Sequence, residues 1–128
     1  MHTAGLTHSD LKYDNICVDW MDWVGWSWKV PSVTLIDLGH AGRPGHVFRG
    51  VDFRVSSHYA PEVVTTGTSN LADIYSLGFM IKDIFRVDGG DIIPGSLQVW
   101  AERACSRAPA DRPSLASLLQ AIKDETKC

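Results

Sequence analysis

The sequence predicts a mainly helical domain that carries one small β-hairpin. Three observations predict it. Ile16-Cys17-Val18 and Val33-Thr34-Leu35-Ile36 are short runs rich in β-branched residues, the composition of strands. Leu71 to Phe85 is apolar nearly all round, through Leu71, Ile74, Leu77, Met80, Ile81, Ile84 and Phe85. A helix of that kind lies at the centre of a domain. Two later stretches place apolar residues at helical spacing: Ser96 to Arg107, and the run Leu115, Leu118, Leu119, Ile122.

Taken in order, Leu6 to Asn15 has neither a helical nor a strand period and reads as a loop. The two strands flank a connector, Asp19 to Ser32, that carries Trp20, Trp23, Trp26 and Trp28. Such rings either pack on themselves and the core or form a binding surface. Gly39 to Gly50 is glycine-rich with Pro44, and predicts a mobile loop. Ser69 or Asn70 caps the apolar helix, which puts Asp73 in its first turn, where the helix dipole favours an anion. Asp88-Gly89-Gly90 ends it. The next helix buries Leu97, Trp100, Ala101, Ala104 and Cys105 and is broken by Pro109. Ser114 caps the last helix.

Composition sets bounds on function. The 128 residues fit one domain, 1–128, and a chain of this size buries roughly two thirds of its unfolded surface. The net charge is -3 and the twelve lysines and arginines are scattered, which is not a nucleic-acid footprint. The three cysteines, Cys17, Cys105 and Cys128, form no C-x-x-C pair, so neither a disulfide framework nor a zinc knuckle is expected. His8, His40, His46 and His58 share no metal-ligand spacing. The N-terminus has no apolar signal region and no stretch is long enough to span a membrane. A cytoplasmic location without membrane or nucleic-acid partners is the expectation.

Five motifs carry the chemistry. They are His8-Ser9-Asp10-Leu11-Lys12-Tyr13-Asp14-Asn15, Ile36-Asp37-Leu38-Gly39, Tyr59-Ala60-Pro61-Glu62, Ala72-Asp73-Ile74-Tyr75-Ser76-Leu77-Gly78 and Pro109-Ala110-Asp111-Arg112-Pro113. In this order they resemble the C-terminal lobe of eukaryotic-type, Ser/Thr-like protein kinases, from the catalytic loop to the last helix. The resemblance runs from Leu6 to Ile122 and implies a protein-kinase-like C-lobe with the N-lobe missing. It implies ATP and magnesium as cofactors, and protein Ser/Thr hydroxyls as acceptors. Asp10 matches the catalytic base, and Lys12 the lysine set against the γ-phosphate. Asn15 and Asp37 match the metal and cofactor ligands. His8, Asp73, Glu62 and Arg112 match structural positions. In the family the Asp73 position accepts hydrogen bonds from the catalytic-loop backbone, and the Arg112 position pairs with the Glu62 position.

The chain also departs from the family. Ser9 stands where an arginine usually pairs with a phosphorylated activation loop, and Leu38 stands for a phenylalanine. No residue separates Tyr59 from Ala60, where the family has one. Val55, Ser56 or Ser57 falls where a threonine usually meets the catalytic Asp and Lys. No G-x-G-x-x-G loop and no strand lysine precede His8, so the groups that cover the ATP phosphates are not encoded here. The partner expected is a protein substrate or an upstream N-lobe. Two functions compete: an impaired protein kinase domain, and a catalytically inactive kinase-like interaction module. A small-molecule phosphotransferase shares the H-x-D-x-x-x-x-N loop but lacks the last two motifs.

Overall fold

A computed structural model describes residues 1–19, 32–87 and 95–126. The tryptophan cluster and the Asp88-Gly89-Gly90 stop signal lie outside the described residues. The remainder is mainly helical with a two-stranded antiparallel sheet, as the patterning predicts. Strand β1 (Ile16–Asp19) pairs with β2 (Ser32–Leu35), in a register that sets Ile16 against Leu35 and Asp19 against Ser32. Helices α1 (Asn70–Val87), α2 (Gly95–Ala104) and α3 (Leu115–Thr126) make up the second half. Among the described residues no helix is long and apolar enough to cross a membrane.

Helix α1 starts where the Ser69 hydroxyl accepts the Ala72 N–H at 3.0 Å, which satisfies one of the free amides of the first turn. Ala72, Asp73, Ile74, Ser76, Gly78 and Met80 are buried, but Ile84 is 46% exposed. The apolar surface of α1 therefore exceeds what its neighbours cover near the C-terminal end. Helix α1 packs on α2, and α2 on α3. A Cβ on Gly78 would lie 2.6 Å from the Ala104 Cβ and 2.9 Å from the Ala101 carbonyl, so only glycine lets the two helices approach this closely.

Helix α2 buries Leu97, Ala101 and Ala104. It ends at Ala104 rather than near Arg107, because the Cys105 N–H already splits between Ala101 and Glu102 and Ser106 bonds back to Arg103. Trp100 is only partly buried, with the Arg103 guanidinium 4.7 Å from its ring centroid. Ser114 caps α3 by accepting the Ser117 N–H at 3.1 Å. Leu118 and Ala121 form its buried stripe, whereas Leu119 is 47% exposed.

A small core joins the middle of the chain to α1: Phe48, Ala60, Val63 and Ala72, with Tyr59 and Tyr75 packed against it. Phe48 makes edge-on ring contacts with His40, His46 and Tyr59. Burying a side chain of this size contributes about 1.5–3 kcal/mol. It also ties down the glycine-rich segment that the sequence marks as a mobile loop. That segment is irregular, yet Gly42 pairs with Thr7, Gly45 and His46 with Thr68, and Phe48 with Val63 through backbone hydrogen bonds.

Candidate active site

The site is built on the buried carboxylate of Asp73. Its Oδ2 accepts the His8 N–H and its Oδ1 the Ser9 N–H, each at 2.9 Å. His2 Nε2 also meets Oδ2 at 2.8 Å. A carboxylate in the first turn of a buried helix is satisfied by these donors, as a buried charge must be. They in turn hold the loop in a conformation it would not choose. Ser9 has φ +67°, a left-handed geometry unfavourable for residues with a Cβ. The Thr7 hydroxyl braces the Ser9 hydroxyl at 2.7 Å.

The strained turn directs Asp10 inward. The Asp10 N–H donates to His8 Nδ1 at 3.3 Å, which leaves His8 Nε2 to donate to the Ile36 carbonyl at 3.2 Å. The Asn15 amide donates to both the carbonyl and Oδ2 of Asp10, at 2.8 and 3.1 Å. Lys12 Nζ lies 3.8 Å from the same Oδ2. The hairpin brings Asp37 alongside: the Ile36 N–H donates to the Asn15 carbonyl at 2.9 Å. Asp37 is exposed, with φ +56°, and its Oδ1 accepts the Gly39 N–H at 3.3 Å.

Two residues to which the sequence assigned no role at Asp10 complete the site. His58 Nε2 lies 2.8 Å from Asp10 Oδ1, and the Tyr59 hydroxyl donates to that same oxygen at 2.9 Å. Val55, Ser56 and Ser57 make no hydrogen bond to Asp10 or Lys12 among the described residues. The missing residue between Tyr59 and Ala60 was the available signal, because a shortened segment presents different side chains to the loop. Burial opposes ionisation of Asp10, but hydrogen bonds from His58 and Tyr59 and the positive charge of Lys12 hold its carboxyl below the ordinary range. Burial, the bond to Asp10 and the charges of Asp10 and Asp37 push the Tyr59 phenol above its ordinary value. The same phenol thus feels both acids.

A cleft of about 340 Å³ opens beside the loop, lined by Lys12, Asp14, Ser56, Ser57 and His58 together with Asp83 and other α1 residues. Near the start of α1, Arg112 grips Glu62 with two hydrogen bonds, 2.5 and 2.8 Å long. Arg112 also donates to the carbonyls of Leu71 and Ser106, at 2.8 and 2.9 Å. This pair anchors the Pro61–Val64 turn, and with it His58 and Tyr59, to the start of α1.

Asn15 spends its side-chain nitrogen on Asp10, which leaves its side-chain oxygen and the exposed Asp37 carboxylate as donors for a cation. Magnesium suits such a set: hard oxygens, few protein ligands, the rest supplied by phosphate and water. Among the described residues no group of three His, Cys, Asp or Glu side chains gathers as a metal site.

No family model matches the chain. A stretch of 98 residues is 32% identical to the stress-activated protein kinase JNK of Drosophila melanogaster. The match covers 75% of this chain but only 23% of that kinase. The chain is thus similar, over most of its length, to about a quarter of a protein kinase, and its helical body with a two-stranded sheet is compatible with a piece of a kinase C-terminal lobe.

Proposed function

We propose that the chain is a protein-kinase-like C-lobe whose loop serves ATP-dependent phosphoryl transfer to Ser/Thr hydroxyls of a protein, with little turnover by these 128 residues alone. One observation carries this reading. Asp10, Lys12 and Asn15 form a connected cluster, and the hairpin sets Asp37 next to Asn15. Phosphoryl transfer requires little else of a protein than positioning and charge. Lys12 would face the γ-phosphate, and Asn15 and Asp37 would hold magnesium. Bound magnesium would neutralise charge that develops on the phosphoryl oxygens. The Asp10 carboxylate would draw the acceptor's proton.

A second reading, an inactive kinase-like interaction module, draws on one further observation: both Asp10 carboxylate oxygens are already hydrogen-bonded. Calorimetric titration with ATP, with and without magnesium, tests the first reading. Heat that depends on magnesium and disappears in Asp37→Asn is the expected result. No binding under either condition favours the inactive module.

A further inference from the structure

A second hollow, of about 430 Å³, is lined by Phe53, Ser57, Tyr59, Pro61, Tyr75 and Arg107. Its size falls in the range of ligand pockets, roughly 300–1,000 Å³. Three aromatic rings and a proline make most of its wall apolar. These rings are fixed before anything binds. The Tyr59 hydroxyl is spent on Asp10, and its ring contacts those of Phe48 and His58, with centroids 5.1 and 4.1 Å away. The Arg112 guanidinium lies 5.1 Å from the centre of the Tyr75 ring. Walls already held in place give up little entropy when a ligand arrives.

The charge on the hollow is unopposed. Glu62 is taken by Arg112, and Asp52 by Arg54. No carboxylate pairs with the Arg107 guanidinium among the described residues. Burial pushes the Tyr75 phenol above its ordinary value, so that ring adds no negative charge at neutral pH. The hollow is therefore apolar with one free cation. It is also open, since Phe53 is 38% exposed and Arg107 lies at the surface. A free small molecule would be covered on too few sides, because ligand pockets enclose most of what they bind. A peptide needs only its anchoring side chain enclosed.

We propose that this hollow docks a segment of another protein that presents an aromatic side chain beside an aspartate or glutamate. The ring fills the space among Phe53, Tyr59, Pro61 and Tyr75, and the carboxylate pairs with Arg107. Ser57 lines both this hollow and the cleft beside the loop, so the docked segment lies next to that cleft. Docking of this kind needs neither ATP nor magnesium, which separates its test from that of phosphoryl transfer.

Fluorescence anisotropy with the whole 128-residue chain is the test. The probes are labelled, end-blocked, glycine-rich peptides with one central Phe-Glu pair, and versions with Ala for the Phe, Gln for the Glu and Lys for the Glu. The Phe-Glu peptide should bind saturably. Loss of the ring should weaken binding at least tenfold, as loss of an anchor does. Gln should weaken it about threefold, since an exposed ion pair contributes little, and Lys more. Arg107→Glu should invert the order of the Glu and Lys peptides, and Phe53→Ala should weaken both. Both side chains are exposed, so the variants should fold, which circular dichroism checks. Equal binding of all the peptides, binding of none, or an unchanged order in Arg107→Glu overturns the proposal. Phenylacetate that competes as well as the unlabelled peptide would assign the hollow to a small acid, and also overturns it. So does self-association of the chain that is lost in Phe53→Ala, which would assign the hollow to a second copy.

Discussion

Replacing Arg112 with alanine should be among the most damaging single changes to this fold. The Arg112 side chain is fully buried and that of Glu62 only 12% exposed. Arg112→Ala removes both bonds to Glu62 and also strips the carbonyls of Leu71 and Ser106 of their donor. The cost lies less in the lost attraction than in what is left behind, a nearly buried carboxylate without a counter-charge. Breaking such a pair from one side costs about 3–5 kcal/mol. At about 4 °C per kcal/mol for a domain of this size, the melting midpoint should fall by roughly 12–20 °C. Differential scanning calorimetry, with circular dichroism as a second probe, reads the shift. The double variant Glu62→Leu/Arg112→Met should recover much of the loss, because no charge is then stranded. If Arg112→Ala melts within about 2 °C of wild type, the reasoning is refuted, since buried charge would then be carrying no penalty.

Four further outcomes are expected. Asp73→Asn should cost roughly 1–3 kcal/mol in urea unfolding, because one amide oxygen cannot accept from the His8 and Ser9 amides and also face His2. Gly78→Ala should cost about 1–3 kcal/mol through overpacking, as its Cβ would meet Ala104 at 2.6 Å. The depressed Asp10 pKa stabilises the fold fully above its ordinary value of 3.8, and that stability is lost as pH falls through the lower folded value. The acid limb of a stability–pH curve should therefore be shallower in Asp10→Asn. The raised Tyr59 pKa works in the opposite window: its contribution holds below the ordinary 10.0 and is lost as pH rises through the folded value. A near-ultraviolet titration should therefore lose its late-ionising phenol in Tyr59→Phe.

The elements were legible because their signals are local. A run apolar nearly all round set α1 and periodicity set α3, Ser114 set one cap and Ser69 or Asn70 the other, and β-branched runs set the hairpin. The donors of the buried acid Asp73 were legible through the resemblance, which implies that this position accepts from the backbone of the His8–Asn15 loop. Chain pattern alone did not decide which side chains lie on Asp10. His58 and Tyr59 stand 48 and 49 residues away, and nothing in their spacing points at the loop. They reach it because Arg112 clamps Glu62 to α1 and Ser76 holds the His58 carbonyl, while no residue separates Tyr59 from Ala60. Nor did the apolar count of α1 reveal that Ile84 stays exposed, because a helix buries only the faces its neighbours cover. Local chemistry was enough to fix the elements and their ends. The surroundings of Asp10 follow from hydrogen bonds and ion pairs between distant segments, whose partners exist only once the chain is packed.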